Sequence, residues 1–313
     1  MNLNHQAWRL AQAIVDQPDL YQAKVDATSS GVQIIDLGVH ALGGLEAGRK
    51  LAEICLAGLA QIDLTPPSLQ GVRHDVSVKT DQPMVACMGS QYAGWRVQTA
   101  DYFAMASGPM RACAGKEPLI NELGLGETTE FAVGVLETSQ IPPADVCAKL
   151  AKECSVEPDH LRLLVARTAS EAGHVQIVAR SVETALHKLH EIGFDLRKIV
   201  RAEGTAPLPP LAADDVQGIG RTNDAILYGG QVTLWVNADN DEIAEIGRQL
   251  PSSSSSAYGM PFEKILRDAK FDFYQIDPLL FSPAQVTFIH AKSGKRQIFG
   301  ATSEALLRES FGI

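Results

Sequence analysis

Helix-like and strand-like segments alternate along the whole chain, and this alternation constrains the fold more than any other feature. EFAVGVLET (130–138), HLRLLVA (160–166) and QVTLWVN (231–237) are short apolar runs of the kind that form buried strands. Amphipathic helix patterns, PADVCAKLAKEC and DEIAEIGRQL, follow the first and the last of these runs. No internal repeat or low-complexity linker interrupts the order. The pattern predicts a mixed α/β chain of the α+β class.

Segments nearer the two ends fit the same class. Residues 5–16 and 44–61 have helical periodicity, VRHDVSVKT (72–80) alternates like a half-buried strand, and QVTFIHAKSGKRQIFG is typical of a hairpin that turns at SGK. A chain of 313 residues, 45% of them hydrophobic, is long enough for two cores. We therefore predict two domains, residues 1–170 and 171–313, with an approximate boundary because no linker separates them.

Net charge and hydropathy exclude several classes of function. The formal charge of −10 opposes nonspecific binding to nucleic acid or to a membrane surface, both of which need a basic field. The N-terminus has no basic region followed by an apolar one, and nowhere is there an apolar run of about 20 residues that could span a bilayer. We expect a cytoplasmic protein without nucleic-acid or membrane partners.

The cysteines and histidines do not form a metal-binding pattern. The five cysteines are an odd number at irregular spacings without a CxxC pair, so they predict free thiols more than disulfides or a zinc site. His187 and His190 lack the HExxH arrangement of zinc proteases. We therefore predict no metal.

Four stretches rich in Gly, Ser and Pro are predicted to be loops: MGSQYAGW (88–95), ASGPMRA (106–112), GIGRTNDAILYGG (218–230) and PSSSSSAYGMPFEKI (251–265). The third is not a dinucleotide fingerprint, because no strand precedes it and no acidic residue follows at the required distance. A phosphate-binding P-loop is also missing from the sequence. The serine run is typical of a polar loop, although hydroxyls and backbone N–H groups can also hold an anion.

The most informative segment is QIVARSVETALHKLHEIGF (176–194), which has the periodicity of one amphipathic helix. Arg180, Glu183 and His187 fall at spacings i, i+3 and i+7, so the three side chains share the face opposite the apolar stripe. Such a face is either a solvated ion pair of little energetic value or the wall of a site. Spacing alone leaves both interpretations open.

A family resemblance bears on that choice. The segments VQIVARSVETALHKLHEIGFD, GIGRTNDAILYGGQVTLWV, PSSSSSAYGMPFEKI and FYQIDPLLFSPAQV, together with YAGW and SGPMRA, resemble the methenyltetrahydromethanopterin cyclohydrolases. The likeness runs from about residue 30 to the C-terminus and is to bacterial, methylotroph-type members. It implies a cytoplasmic homotrimer with two mixed α/β domains, a pterin pocket between them, and no metal or nucleotide cofactor.

The resemblance also implies roles for individual residues. The family's Arg-x-x-Glu pattern falls on Arg180 and Glu183, with Glu183 as the general base and acid for hydration of the methenyl group. Further substrate-binding candidates offer ring faces or polar groups to the pterin, or line the pocket mouth: Tyr92, Trp95, Arg221, Asn223, Asp224, Ser252, Ser253 and Ser254. Each has a structural alternative, core packing for the aromatics and turn capping for Asn223 and Asp224.

Three hypotheses for the function stay open at this point. The first is the cyclohydrolase, and the second is an oxidoreductase that acts on a reduced pterin with a nicotinamide partner. The third is a pterin carrier that binds without turnover. Glu203 in RAEGT is the rival carboxylate to Glu183, although it lies outside the Arg-x-x-Glu pattern.

Overall fold

The computed structural model of the protein describes residues 2–272 and 275–313 and divides them into two compact units. Unit 1 consists of residues 1–60 and 85–176, and unit 2 of residues 61–84 and 177–313. The early segment 61–84 thus belongs with the C-terminal part of the chain. The two domains 1–170 and 171–313, with their approximate boundary, stay a prediction.

Unit 1 is built on one mixed sheet of six described strands, in the order β1-β2-β8-β7-β6-β5. The strands β2, β8 and β7 are parallel to one another, and the remaining pairs are antiparallel. The strands are β1 Lys24–Ala27, β2 Gln33–Asp36, β5 Trp95–Gln98, β6 Phe103–Ser107, β7 Ala132–Glu137 and β8 Leu161–Ala166. The helices are α1 Leu3–Asp16, α2 Leu45–Cys55, α3 Met110–Ala114, α4 Pro118–Glu122, α5 Ala144–Glu153 and most of α6, Glu171–Val178.

Helices cover both faces of this sheet. One apolar core packs α1 and α2 against residues such as Ile35 and Leu164, and a second packs α5 against the opposite face, which includes Leu163 and Val165. All six residues of β8 are buried, as expected for a central parallel strand covered on both sides. This is the physical reason that HLRLLVA has an almost continuous apolar run.

Unit 2 contains the second mixed sheet, whose six described strands have the order β12-β11-β10-β9-β4-β3. Only β10 and β11 are parallel among these described pairs. The strands are β3 Gln61–Thr65, β4 Asp75–Thr80, β9 Ile199–Pro207, β10 Gln231–Val236, β11 Gln285–His290 and β12 Arg296–Gly300. The helices are α7 Ser181–Glu191, α8 Asp215–Leu227, α9 Asn240–Gln249, α10 Phe262–Asp268 and α11 Glu304–Phe311.

The two sheets with their helices confirm the predicted α+β class and most of the predicted elements. Some predictions of local structure were wrong. The segment 176–194 is not one helix, because the turn at Ala179 and Arg180 separates α6 from α7. The segment 218–230 is not a loop, because most of it lies within α8.

Glycine explains the second error. A Cβ atom at Gly220 would lie 2.7 Å from Glu263 Cβ, so this glycine lets α8 and α10 approach closely. Gly220 therefore serves helix packing in this segment and does not mark a loop.

Other predicted loops also have local order. Residues Met84–Gln91 form a π-helix, a rare element that is frequent at functional sites. ASGPMRA contains the end of β6 and the start of α3. Residues Ser252–Ser254 form a single 3₁₀ turn. In the part of the chain that the structure describes, no helix is both long and apolar enough to cross a membrane.

Candidate active site

Arg180 and Glu183 lie where α6 gives way to α7. Arg180 is the N-terminal flanking residue of α7, with φ −90° and ψ 6°, and its carbonyl accepts a 2.9 Å hydrogen bond from Thr184 N. Glu183 is in the first turn of α7. A carboxylate at this end of a helix is stabilised by the positive end of the helix dipole. The break between the two helices thus places the guanidinium and the carboxylate together.

The pair is buried. The exposed fractions of the two residues are 7% for Arg180 and 5% for Glu183. Arg180 Nη1 and Glu183 Oε2 are 3.9 Å apart. The two groups therefore form an ion pair, but this distance is too long for a hydrogen bond between these two atoms. This burial excludes the alternative of a solvated surface pair. Charges are kept in such a place only when partners or function offset the cost of desolvation.

The start of α7 packs against strand β9. A Cβ atom at Gly204 would lie 2.5 Å from Ser181 Oγ and 2.9 Å from Val182 Cγ2, so only glycine allows this approach. Because side chains alternate along a strand, Glu203 points to the opposite face of the sheet. There it stands opposite the exposed Lys79 of β4. The rival carboxylate is therefore on the other side of β9 from α7.

His187 lies one turn further along the same face of α7 as Glu183. Its side chain is 23% exposed, and its Nε2 atom is 3.8 Å from Glu191 Oε1. Burial lowers the pKa of His187 below its ordinary value, with Glu191 acting in the opposite direction. The imidazole is therefore mostly neutral at pH 7.

The three predicted residues of α8 are engaged within unit 2. Arg221 Nη1 donates to the carbonyl oxygens of Pro210 and Leu211, at 3.2 and 2.8 Å, and Asn223 Nδ2 donates to Ile219 O at 2.8 Å. These contacts are with the backbone of the protein itself, so they favour the structural alternative. A substrate-binding role for Arg221 and Asn223 stays a prediction.

Asp224 is completely buried and holds three elements together. Its carboxylate accepts hydrogen bonds from Phe262 N, the first residue of α10, and from Ser310 Oγ of α11 at 2.6 Å. Burial raises the pKa of Asp224 to about 7, against the effect of these hydrogen bonds. These contacts favour a structural role in joining α8, α10 and α11, and the predicted role in substrate binding remains a prediction.

The serine run is also internally bonded. Ser252 is buried and its Oγ donates to Leu227 O at 2.5 Å, whereas Ser253 and Ser254 are exposed. Ser254 Oγ donates to Gln249 O at 2.6 Å. The binding roles of Ser252, Ser253 and Ser254 stay predictions.

Lys188 of α7 is the residue that sequence reasoning missed. Only 1% of it is exposed, and its Nζ donates to Pro251 O, Ser254 Oγ and Leu279 O at 3.0, 2.9 and 2.5 Å. Burial lowers the pKa of Lys188 to about 8. Lys188 thus attaches α7 to the serine run, and no local pattern in the sequence signals it.

Tyr92 and Trp95 belong to unit 1. Trp95 is 7% exposed and is part of the apolar core, with Lys116 Nζ 5.0 Å from its ring centroid. Tyr92 is half-buried, and the guanidinium carbon of Arg111 is 5.0 Å from its ring centroid. Burial favours packing for Trp95, whereas Tyr92 keeps an accessible part. Ring stacking with a substrate stays a prediction for both.

Metal-ligating side chains do not cluster in residues 2–272 and 275–313, where no group of three or more His, Cys, Asp or Glu side chains could hold an ion. The five thiols are all free, and four of them are buried.

A buried carboxylate beside a guanidinium, at the first turn of a helix packed on a mixed sheet, is able to carry out acid–base chemistry, although the same arrangement also occurs as a structural ion pair. Comparison with known proteins identifies the family to which the chain belongs. The chain belongs to the family described as Cyclohydrolase (MCH), whose sequence model matches residues 2–311.

Individual relatives carry a more specific name. The chain is 49% identical to the methenyltetrahydromethanopterin cyclohydrolase of Rhodopirellula baltica, an alignment that covers 91% of this chain and 88% of the relative. It is 44% identical to the protein of that name from Methylobacillus flagellatus, over 97% and 93% of the two chains. Identity to the one from Methanospirillum hungatei is 39%, over 100% and 99%. The resemblance inferred from the sequence is confirmed.

Proposed function

We propose that the protein catalyses the reversible hydration of 5,10-methenyltetrahydromethanopterin, or of its dephospho form, to the 5-formyl derivative. The observation that carries this proposal is the buried Arg180–Glu183 pair in a chain of the cyclohydrolase family. Membership of the family supports the reaction, and burial of the pair supports the assignment of these two residues to it.

Glu183 is the proposed general base and acid. The substrate is a cation in which one carbon bridges the pterin nitrogens N5 and N10, and water has to add to that carbon. A carboxylate can take a proton from the attacking water and then deliver it to N10 as the C–N10 bond breaks. The negative charge of Glu183 also complements the substrate cation.

Arg180 acts through Glu183 in this scheme. A guanidinium alone would repel the cationic substrate, whereas beside Glu183 it disfavours premature protonation of the carboxylate. Its N–H groups can also orient the attacking water or a carbonyl oxygen of the pterin.

The proposed substrate contacts outside the pair are fewer than the sequence suggested. Tyr92 and Ser253 remain the better candidates because part of each side chain is accessible. Trp95, Arg221, Asn223, Asp224, Ser252 and Ser254 are retained as weaker candidates, since each is buried or bonded within its own unit.

No metal or nucleotide cofactor is required by this chemistry, because water and a carboxylate are sufficient. Purified protein, treated with a chelator and given methenyltetrahydromethanopterin alone, should cause loss of the methenyl absorbance. Turnover that needs NADP would favour the oxidoreductase hypothesis, and binding without turnover would favour the carrier. Activity restored only by zinc would also contradict the proposal.

We further propose a cytoplasmic homotrimer that serves one-carbon metabolism, as in the formaldehyde oxidation of methylotrophs. The apolar helices near residues 5–61 are one possible source of the interface. Light scattering at micromolar concentration should give three times the mass of the chain, and a monomer would contradict this part of the proposal.

A further inference from the structure

The proposed reaction releases a proton that has to leave a buried site. Hydration turns a cation into a neutral product: the water oxygen becomes the formyl oxygen, one water proton stays on N10, and the other is released. Glu183 takes up this second proton when the hydroxyl of the adduct becomes a carbonyl. Because Glu183 is only 5% exposed, the proton needs a route from the carboxyl group to solvent.

A graded series of side chains runs along α7 from that carboxyl group. Glu183, His187 and Glu191 are spaced i, i+4 and i+8, so they share one helix face, with Cβ atoms roughly 5 to 6 Å apart between neighbours. The exposed fractions of their side chains are 7%, 23% and 50%. The row thus leads from a buried carboxylate to solvent, and its outer two groups lie 3.8 Å apart.

We propose that His187 is a proton relay between Glu183 and solvent, an inference that rests on the proposed function. The protonated carboxyl group of Glu183 donates its proton to one imidazole nitrogen, directly or through one water molecule. The other ring nitrogen then releases its proton to Glu191 or to bulk water. No oxidant or further reactant is needed, and Glu183 is left as the carboxylate for the next turnover.

The environment of His187 suits this role. A neutral imidazole has one acceptor and one donor nitrogen, which is what a relay needs. Burial favours that neutral form, and His190 acts in the same direction, whereas Glu191 acts in the opposite one. Glu183 and Arg180 are the other charged groups that α7 and its N-terminal flank place on this face.

The relay matters most in the direction of cyclisation, which consumes a proton. Diffusion delivers protons with a rate constant of at most about 10¹⁰ M⁻¹ s⁻¹, which is on the order of 100 per second at pH 8. Typical enzyme turnover reaches about 1 to 10³ per second, so direct supply from water would limit the rate. The imidazole of His187, 23% exposed and 3.8 Å from the half-exposed Glu191, can instead collect protons from buffer molecules.

His187→Gln tests the proposal, because glutamine keeps a polar group of similar size and cannot relay a proton. Cyclisation of the formyl compound is followed at pH 8 in dilute buffer, with and without added imidazole. We expect turnover to fall by about tenfold or more and to return toward the wild-type value as imidazole is added. His290→Gln is the control, since His290 is the last residue of β11 and its Nδ1 accepts from Lys292 N and Ser293 N in the turn that follows.

The outcomes are distinguishable. Full activity of His187→Gln in dilute buffer, or a loss that imidazole does not restore, would overturn the relay. If the variant does not fold, His187→Ala is measured in its place with the same criterion. A wild-type protein without turnover would overturn the proposed function itself.

Discussion

Two groups of buried charges in unit 2 differ in their place in the fold. The α8 cluster, formed by Asp224 with Phe262 and Ser310, is bonded at 2.6 to 3.1 Å. Lys188 is similarly held by three acceptors. The α7 pair, Arg180 and Glu183, is also buried, at 7% and 5% exposure, and lies where α6 gives way to α7, with its charged atoms 3.9 Å apart.

This difference shows that burial of a charge does not by itself identify a functional site. Asp224 and Lys188 are held by groups of their own unit at hydrogen-bonding distance, and each joins separate segments, so the fold accounts for them. The α7 pair sits at a break between helices and in the motif that the family resemblance singled out. We therefore assign a structural role to the α8 cluster and Lys188, whereas a chemical role for the α7 pair is the proposal that the following experiments test.

The largest effect on stability is expected for Lys188→Met, which keeps the length of the side chain but leaves the carbonyls of Pro251 and Leu279 without this donor. Buried acceptors that lose a partner cost about 1 to 3 kcal/mol each, so the free energy of unfolding should fall by about 2 to 4 kcal/mol. Denaturant titration measures the loss. At a temperature where the variant is folded, turnover should stay within a few-fold of wild type. A large loss of rate at unchanged stability would mean that Lys188 takes part in catalysis.

Arg180→Leu should act on the rate and its pH dependence. Without the cation, protonation of Glu183 becomes easier, so the acid limb of the rate profile should move to higher pH by about one unit or more. Turnover at neutral pH should fall by about tenfold or more, since the guanidinium also orients the reacting groups. Arg201→Leu is the matched control, because Arg201 forms an exposed pair with Asp81. An unmoved acid limb in Arg180→Leu would mean that this arginine has only a structural role.

A smaller effect is expected for Asp224→Asn, and it should depend on pH. Burial raises the pKa of Asp224 to about 7 in the folded protein, against an ordinary value of 3.8. The folded state therefore binds this proton more tightly, and the contribution of Asp224 to stability is greatest below pH 4 and is lost as pH rises through 7.

Unfolding by denaturant at several pH values between 5 and 8 measures this contribution. The decline of wild-type stability with rising pH should be reduced in Asp224→Asn by on the order of 1 kcal/mol. Glu304→Gln, which changes an exposed carboxylate, should keep the wild-type slope. An unchanged slope in Asp224→Asn would contradict the structural assignment of the α8 cluster.

Local pattern predicted much of the fold. The runs that became β7, β8 and β10 were identified because burial of a strand leaves a short apolar signature. The sequence did not predict that residues 61–84 belong to unit 2, because the pairing of β4 with β9 joins residues far apart in sequence. Local periodicity carries no information about such pairing.

The site was predictable only in part, for a related reason. The spacing of Arg180 and Glu183 placed them together, but their burial depends on the helix break and on the close approach of β9 at Gly204. Gly220 misled the prediction of 218–230, because a glycine that permits helix packing looks the same in sequence as one in a turn. Lys188 was missed because its three acceptors come from segments 63 to 91 residues away.

The most direct test of the account is Glu183→Gln, with rate and stability measured on the same sample. The amide keeps the shape of the side chain and removes its basicity, so hydration should slow by about a hundredfold or more, with a change in the free energy of unfolding below about 1 kcal/mol. Glu203→Gln, on the other face of β9, should keep the wild-type rate. A near-normal rate in Glu183→Gln would contradict the proposed catalytic role of the α7 pair. Slow turnover in Glu203→Gln would indicate that Glu203 is the general base.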